Sequence, residues 1–186
     1  DPNDPYGQPL DHLIQHFGVN EGQIRISREK VGPDHLAMMY NLADCTVNIS
    51  DAEGFGLATL ESLSCGTPII ATMTGGLQEQ VTDGENWFGI GIEPSSKALI
   101  GSQQVPYIFE DRVSEEDVVN AFIKMYEMEE EDRKALGQAG RQHVLNNYSF
   151  EDYKNRWVEV MDNTHKKHGS WDNRKGYSPW TLEKVN

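Results

Sequence analysis

Thr46-Val47-Asn48-Ile49-Ser50-Asp51-Ala52-Glu53-Gly54-Phe55-Gly56-Leu57-Ala58-Thr59-Leu60-Glu61 is the run whose reading decides the fold. Residues 46–50 read as a buried strand. From Leu57, apolar residues recur at Leu60 and Leu63, close to helical spacing, and the pattern stops at Gly66 with Pro68 beyond. Between strand and helix lies a glycine-flexed turn with one carboxylate, Glu53, just before it; a second, Glu61, lies inside the helix. Strand, Gly-rich turn and helix together aim free backbone N–H groups and a positive helix end at an anion.

Outward from that corner, strand and helix patterns alternate. Leu10, Leu13, Ile14 and Phe17 form a helical stripe that stops at Gly18. Ile24 and Ile26 alternate in a short strand over 23–27. Pro33 opens a helix through Leu36, Met39, Tyr40 and Ala43. Residues 67–72 read as a buried strand, 77–82 as a short helix after the Gly75-Gly76 break, and 88–92 as another strand. Residues 94–106 are rich in Ser, Gly and Gln and read as a loop. The alternation predicts an α/β fold with a doubly wound parallel sheet. Three helices follow, over 115–126, 129–146 and 150–165, the last with Ser149 as its N-cap. The tail from Gly169 carries Trp171, Tyr177 and Trp180.

The 186 residues suit one domain, and 37% hydrophobic with 25% charged residues fits a packed core. The net charge of −14 repels nucleic acid and anionic lipid, so a phosphate ligand must be held by local donors. No apolar run approaches the ~20 residues that span a bilayer. The two cysteines, Cys45 and Cys65, read as buried thiols in a reducing, cytoplasmic setting. Asp1 and Asp4 make a poor metal site. The opening, Asp1-Pro2-Asn3-Asp4-Pro5, reads as the loop of a longer protein cut short at its N-terminus.

The chemistry of the corner suits a sugar nucleotide. A diphosphate seeks backbone N–H donors, and a carboxylate accepts two hydroxyl donors at once. Gly54 and Gly56 let the main chain approach a ligand. Glu61 lies four residues past Leu57 and faces the same side of the helix one turn on. The two acids thus sit to grip two hydroxyl-bearing parts of one elongated ligand.

The segment resembles the acidic signature of the retaining GT-B glycosyltransferases of family four: two glutamates with seven residues between them and Gly-Phe-Gly after the first, here Glu53, Gly54-Phe55-Gly56 and Glu61. Residues 35–44, 60–72, 75–79, 83–86 and 144–150 resemble the neighbouring landmarks in the same order, with Phe150 for the usual Trp. The resemblance implies the C-terminal, donor-binding half of such an enzyme. It implies that Glu61 binds the ribose, that Glu53 binds and orients the donor sugar, and that Gly54, Phe55, Gly56 and Leu57 hold sugar hydroxyls and the diphosphate. Arg28 and Lys30 become candidates for base or phosphate contact. It implies no cofactor and no metal, and an unknown sugar, lipid or protein acceptor bound by a missing N-terminal half. The tail over 169–186 would dock on that half, and 1–186 alone would not transfer sugar.

Other readings stand beside these. A GT-B epimerase or phosphorylase shares the architecture, and a non-catalytic regulatory domain would use the acidic face and aromatic tail. Glu79 reads as a sugar-site neighbour or a plain helix acid, and Phe55 as a packing wedge. His12, His16, His35, His143, His165 and His168 read as solvated. Residues 129–132 decorate a helix start, where the dipole favours acids.

Overall fold

The computed structural model describes residues 8–176 and 183–184. The expectations for Asp1, Asp4 and the opening loop, and for Tyr177 and Trp180, fall outside them. The chain divides into two compact units, Asp1–Met39 and Tyr40–Asn186. The first carries helix α1 (Leu10–His16); helix α2 (Pro33–Leu42) runs across the boundary. Residues 23–27 form no strand. A strand is made by its neighbour's hydrogen bonds, and Ile24 and Ile26 have no ladder partner among the described residues.

The second unit is built on three parallel strands in the order β1 (Thr46–Asn48), β2 (Ile69–Thr72) and β3 (Ile90–Ile92). Helix α3 (Leu57–Cys65) connects β1 to β2, and α4 (Leu77–Val81) connects β2 to β3. Helices α5 (Glu115–Glu127), α6 (Glu130–Asn147) and α7 (Phe150–His168) follow. The central strand alternates its load. Ile69 and Ala71 join Leu63 of α3, Leu77 and Val81 of α4, Phe88, and Val144 of α6 in one core. Ile70 joins Ile90, Ile92 and, from α5, Ala121 and Met125 in the other. Helices thus cover both sheet faces, as the parallel reading requires. Each fully buried Leu or Ile side chain contributes about 2 kcal/mol. β1 departs from the expected burial: it is an edge of the described sheet, and Val47 is 42% exposed.

The region read as a loop contains a hairpin. β4 (Ser96–Ile100) pairs antiparallel with β5 (Ile108–Arg112), Ser96 opposite Arg112 and Ile100 opposite Ile108. The Gly, Ser and Gln that suggested a loop belong mostly to its turn, where Ser102 N–H donates to the Val105 carbonyl at 3.0 Å.

α6 lies against α3 through glycine. A Cβ on Gly137 would fall on the Gly66 carbonyl oxygen and within 3.2 Å of Pro68 Cδ, and backbone cannot swing aside as a side chain does. α3 ends on Gly66 in the left-handed conformation, φ 77°. Alanine normally gains about 1 kcal/mol over glycine inside a helix. Gly137→Ala is expected to reverse that sign and lose about 1–3 kcal/mol through overpacking, read as a lower urea midpoint at unchanged slope.

Candidate functional site

The loops after β1 and β2 both leave the carboxyl ends of parallel strands, the edge where open α/β sheets bind ligands. The β1–α3 loop carries Glu53, Gly54, Phe55 and Gly56, and α3 carries Leu57 and Glu61. All six predicted residues of the signature are therefore brought to one corner. Gly56 is the N-cap of α3 with φ 87°, and no side chain caps that helix start. Its first N–H groups are left to solvent or a ligand.

The loop's shape is set by backbone meeting backbone. Gly76 N–H donates to the Gly54 carbonyl at 3.1 Å, and Gln80 Nε2 donates to the Phe55 carbonyl at 2.5 Å. Gly75 has φ 50°, and a Cβ there would fall on the Glu53 carbonyl oxygen. The sequence reads Gly75-Gly76 as a chain break and as part of a landmark of the resemblance; in the fold they are the seat on which the signature loop rests. Glu53 itself is half-buried.

α3 is oriented by small polar side chains. Asn48 Nδ2 donates to Thr59 Oγ1 at 3.0 Å, and Ser62 Oγ lies 2.5 Å from Thr46 Oγ1. Thr59 and Ser62 are fully buried against β1, which turns Glu61 outward. Tyr40 Oη donates to Glu61 Oε2 at 3.0 Å, a partner that sequence reasoning missed because Tyr40 there counted only as part of an apolar stripe. Burial first, and then the Glu61 carboxylate, push the Tyr40 phenol up to about 12.

The other residues singled out in the sequence are placed as follows. Phe55, read as a packing wedge, is 49% exposed; its ring meets Tyr148 edge-on at 6.2 Å and its carbonyl accepts from Gln80 Nε2. His143 is buried, stacked on Phe88 at 4.2 Å, with Nε2 3.0 Å from the Glu79 carbonyl and Nδ1 3.1 Å from Asn147 Nδ2. That pattern suits a neutral ring whose Nε2–H donates and whose Nδ1 accepts. Cys45 and Cys65 are free and half-buried, and burial pushes the Cys45 thiol up to about 11. Glu79 is exposed on α4. Arg28 and Lys30 belong to the first unit; Arg28 donates to both Asp11 oxygens at 3.2 Å, and Lys30 is exposed. Trp171 is exposed beneath the Arg174 guanidinium, 3.8 Å from its ring centre.

A groove of about 540 Å³ lies between Phe55, Tyr148 and the apolar side of α7, including Phe150, Tyr153 and Trp157. Those three α7 residues are each at least half exposed. Among the described residues, no group of three or more His, Cys, Asp or Glu lies close enough to hold a metal ion, and no helix is long and apolar enough to cross a membrane.

The family model for glycosyl transferases group 1 matches residues 3–143. A D-inositol 3-phosphate glycosyltransferase from Paenarthrobacter aurescens (strain TC1) is 39% identical over 75 residues, 40% of this chain and 18% of that protein. Sucrose-phosphate synthase from Thermosynechococcus elongatus shares the fold with TM-score 0.66 at 22% identity, over 88% of this chain and 37% of its own. Anabaena HepE, solved in complex with UDP-glucose, superposes with TM-score 0.63 at 16% identity, over 83% of this chain and 36% of its own. The chain thus spans well under half the length of these proteins.

Two measurements test the corner. The difference in phenolate absorbance between the protein and Tyr40→Phe is expected to titrate near pH 12; a difference centred near the ordinary 10.0 would contradict the Tyr40–Glu61 contact. Because folding raises this pKa, the Tyr40 contribution to stability is complete below pH about 10 and is lost as pH climbs from there through about 12. Gly75→Ala is expected to cost about 1–3 kcal/mol, from the left-handed backbone and the push on the Glu53 carbonyl, measured by denaturant unfolding.

Proposed function

The chain belongs to the group 1 glycosyl transferases, and we propose that it is the donor-binding half of a retaining enzyme that moves a sugar from a nucleotide diphosphate to an acceptor. The observation that carries this reading is the uncapped start of α3 flanked by Glu53 and Glu61 at the carboxyl edge of the sheet. HepE's complex with UDP-glucose supports a sugar nucleotide as the ligand class.

In this reading Glu61 accepts from the ribose diol with the oxygen that Tyr40 leaves free. Glu53 accepts from the donor sugar and orients its reacting carbon. N–H groups from Gly54 to Leu57 meet sugar hydroxyls and the diphosphate, so that negative charge growing on the leaving group faces a helix start. Arg28 and Lys30 are assigned to base or phosphate contact. The helix start and basic side chains serve the leaving group without a metal or cofactor. The acceptor, a sugar, lipid or protein, is bound by a further N-terminal half, on which the exposed apolar side of α7 and the tail dock. The chain alone therefore transfers no sugar. A cytoplasmic setting fits the free cysteines.

The test uses the full-length protein with a panel of UDP-, GDP- and ADP-sugars. Glu61→Ala is expected to weaken both the sugar nucleotide and the bare nucleotide by about tenfold. Glu53→Ala is expected to spare the bare nucleotide and lower transfer by about a hundredfold or more. NMR of the product is expected to give the anomeric configuration of the donor. Failure to bind any member of the panel overturns the donor reading, and an inverted product overturns retention.

A further inference from the structure

The β4–β5 hairpin has no role in the reaction as described so far, yet it is fastened to the signature loop. It leaves the sheet after β3 but reaches the loop after β1. Asp111 N–H donates to the Asp51 carbonyl at 2.7 Å, and the Arg112 guanidinium pairs with the Asp51 carboxylate. A second arm of Arg112 donates to Glu110 Oε2 at 2.7 Å. The Arg112 carbonyl accepts from Ser95 N–H at 2.8 Å and from Ser95 Oγ at 3.0 Å. Lys97 closes the base of the hairpin on Asp111 at 3.6 Å. The hairpin residues among them all lie at one end of the hairpin, within two register steps of the Ser96–Arg112 pair or just before it.

We infer that this hairpin is a strut for the signature loop, with Arg112 as a positioning residue that acts through Asp51 on Glu53. The loop is then held at two points. Asp51 is fixed by the hairpin, and Gly54 and Phe55 are fixed by Gly76 and Gln80. Glu53 lies between them, so either point sets where its carboxylate stands. A planar guanidinium shared by two carboxylates fixes direction as well as distance, which an ammonium does not. The Arg112 side chain is 38% exposed and that of Asp51 51% exposed, so solvent screens their pairing and it adds little to global stability. Its effect is local, on the geometry of a short loop. The inference rests on Glu53 as the donor-sugar ligand.

The test compares Arg112→Ala, Arg112→Lys, Asp51→Asn and the Arg112→Ala/Asp51→Asn double variant in the full-length protein. Amide hydrogen exchange at residues 51–57 is expected to rise about tenfold in Arg112→Ala, with β2 and the end of α3 unchanged. UDP-glucose and GDP-mannose serve as probes, with UDP and GDP as sugarless controls. Arg112→Ala is expected to weaken the sugar nucleotide that binds by about tenfold and leave its bare nucleotide unchanged. The double variant is expected to lose no more than Arg112→Ala alone, and Arg112→Lys to recover part of the loss. Unchanged exchange at 51–57 overturns the strut. So does equal weakening of nucleotide and sugar nucleotide together with a lower unfolding temperature, which marks a general structural role. A parent protein that binds none of the four probes counts against the donor reading alone, and the exchange measurement still decides the strut.

Discussion

Everything at the carboxyl edge depends on one backbone-on-backbone contact, the seating of the Glu53–Phe55 carbonyls against Gly75 and Gly76. A side chain at either glycine would occupy the space of the loop's own main chain. The contact joins the turn after β1 to the turn after β2, so the loop inherits the rigidity of the buried central strand. Main-chain packing of this kind has no slack: a rotamer can change, but a carbonyl moves only with its whole peptide. The main chain at Glu53 is therefore seated on two residues that carry no side chain.

The same economy runs through α3. One face is pinned to β1 by hydroxyls and an amide rather than by large apolar side chains. Polar pins are directional, so they settle the helix's rotation about its axis, and with it the outward aim of Glu61. On its far side α6 presses in at Gly137, which limits how far α3 can retreat. Tyr40 completes the arrangement by occupying one oxygen of the outward carboxylate.

Much of this was legible in the chain. The α3 start and stop follow from Gly56 and Gly66, and the central strand follows from Ile69, Ile70 and Ala71 with a proline before them. The helices α5 to α7 follow from 3.6-residue stripes and from Ser149, which caps as expected by accepting from Asp152 N–H. What escaped is non-local. Nothing within residues 94–106 reveals that Ser96–Ile100 has a partner across a turn, because only the β5 strand supplies it. His143 looks solvated in sequence, since its stacking partner Phe88 and its acceptor at Glu79 come from elsewhere in the chain. Ile24 and Ile26 fail in the opposite sense: the alternation is present, but among the described residues no neighbour exists to turn it into a ladder. The pairing of Gly75-Gly76 with the signature loop was hidden for the same reason. Glycine announces freedom in a sequence, and only the fold says what approaches it.

The edge of β1, which has no second strand neighbour among the described residues, bears on how the chain meets other copies of itself. Along the side away from β2, its peptide groups have no strand partner among the described residues, and Val47 stands open beside it. An open edge is a template on which another copy can add a strand. Opposing this is the surplus of acid, −14 over the whole chain, which keeps like molecules apart at low ionic strength. Salt shortens that repulsion and leaves the edge as it is.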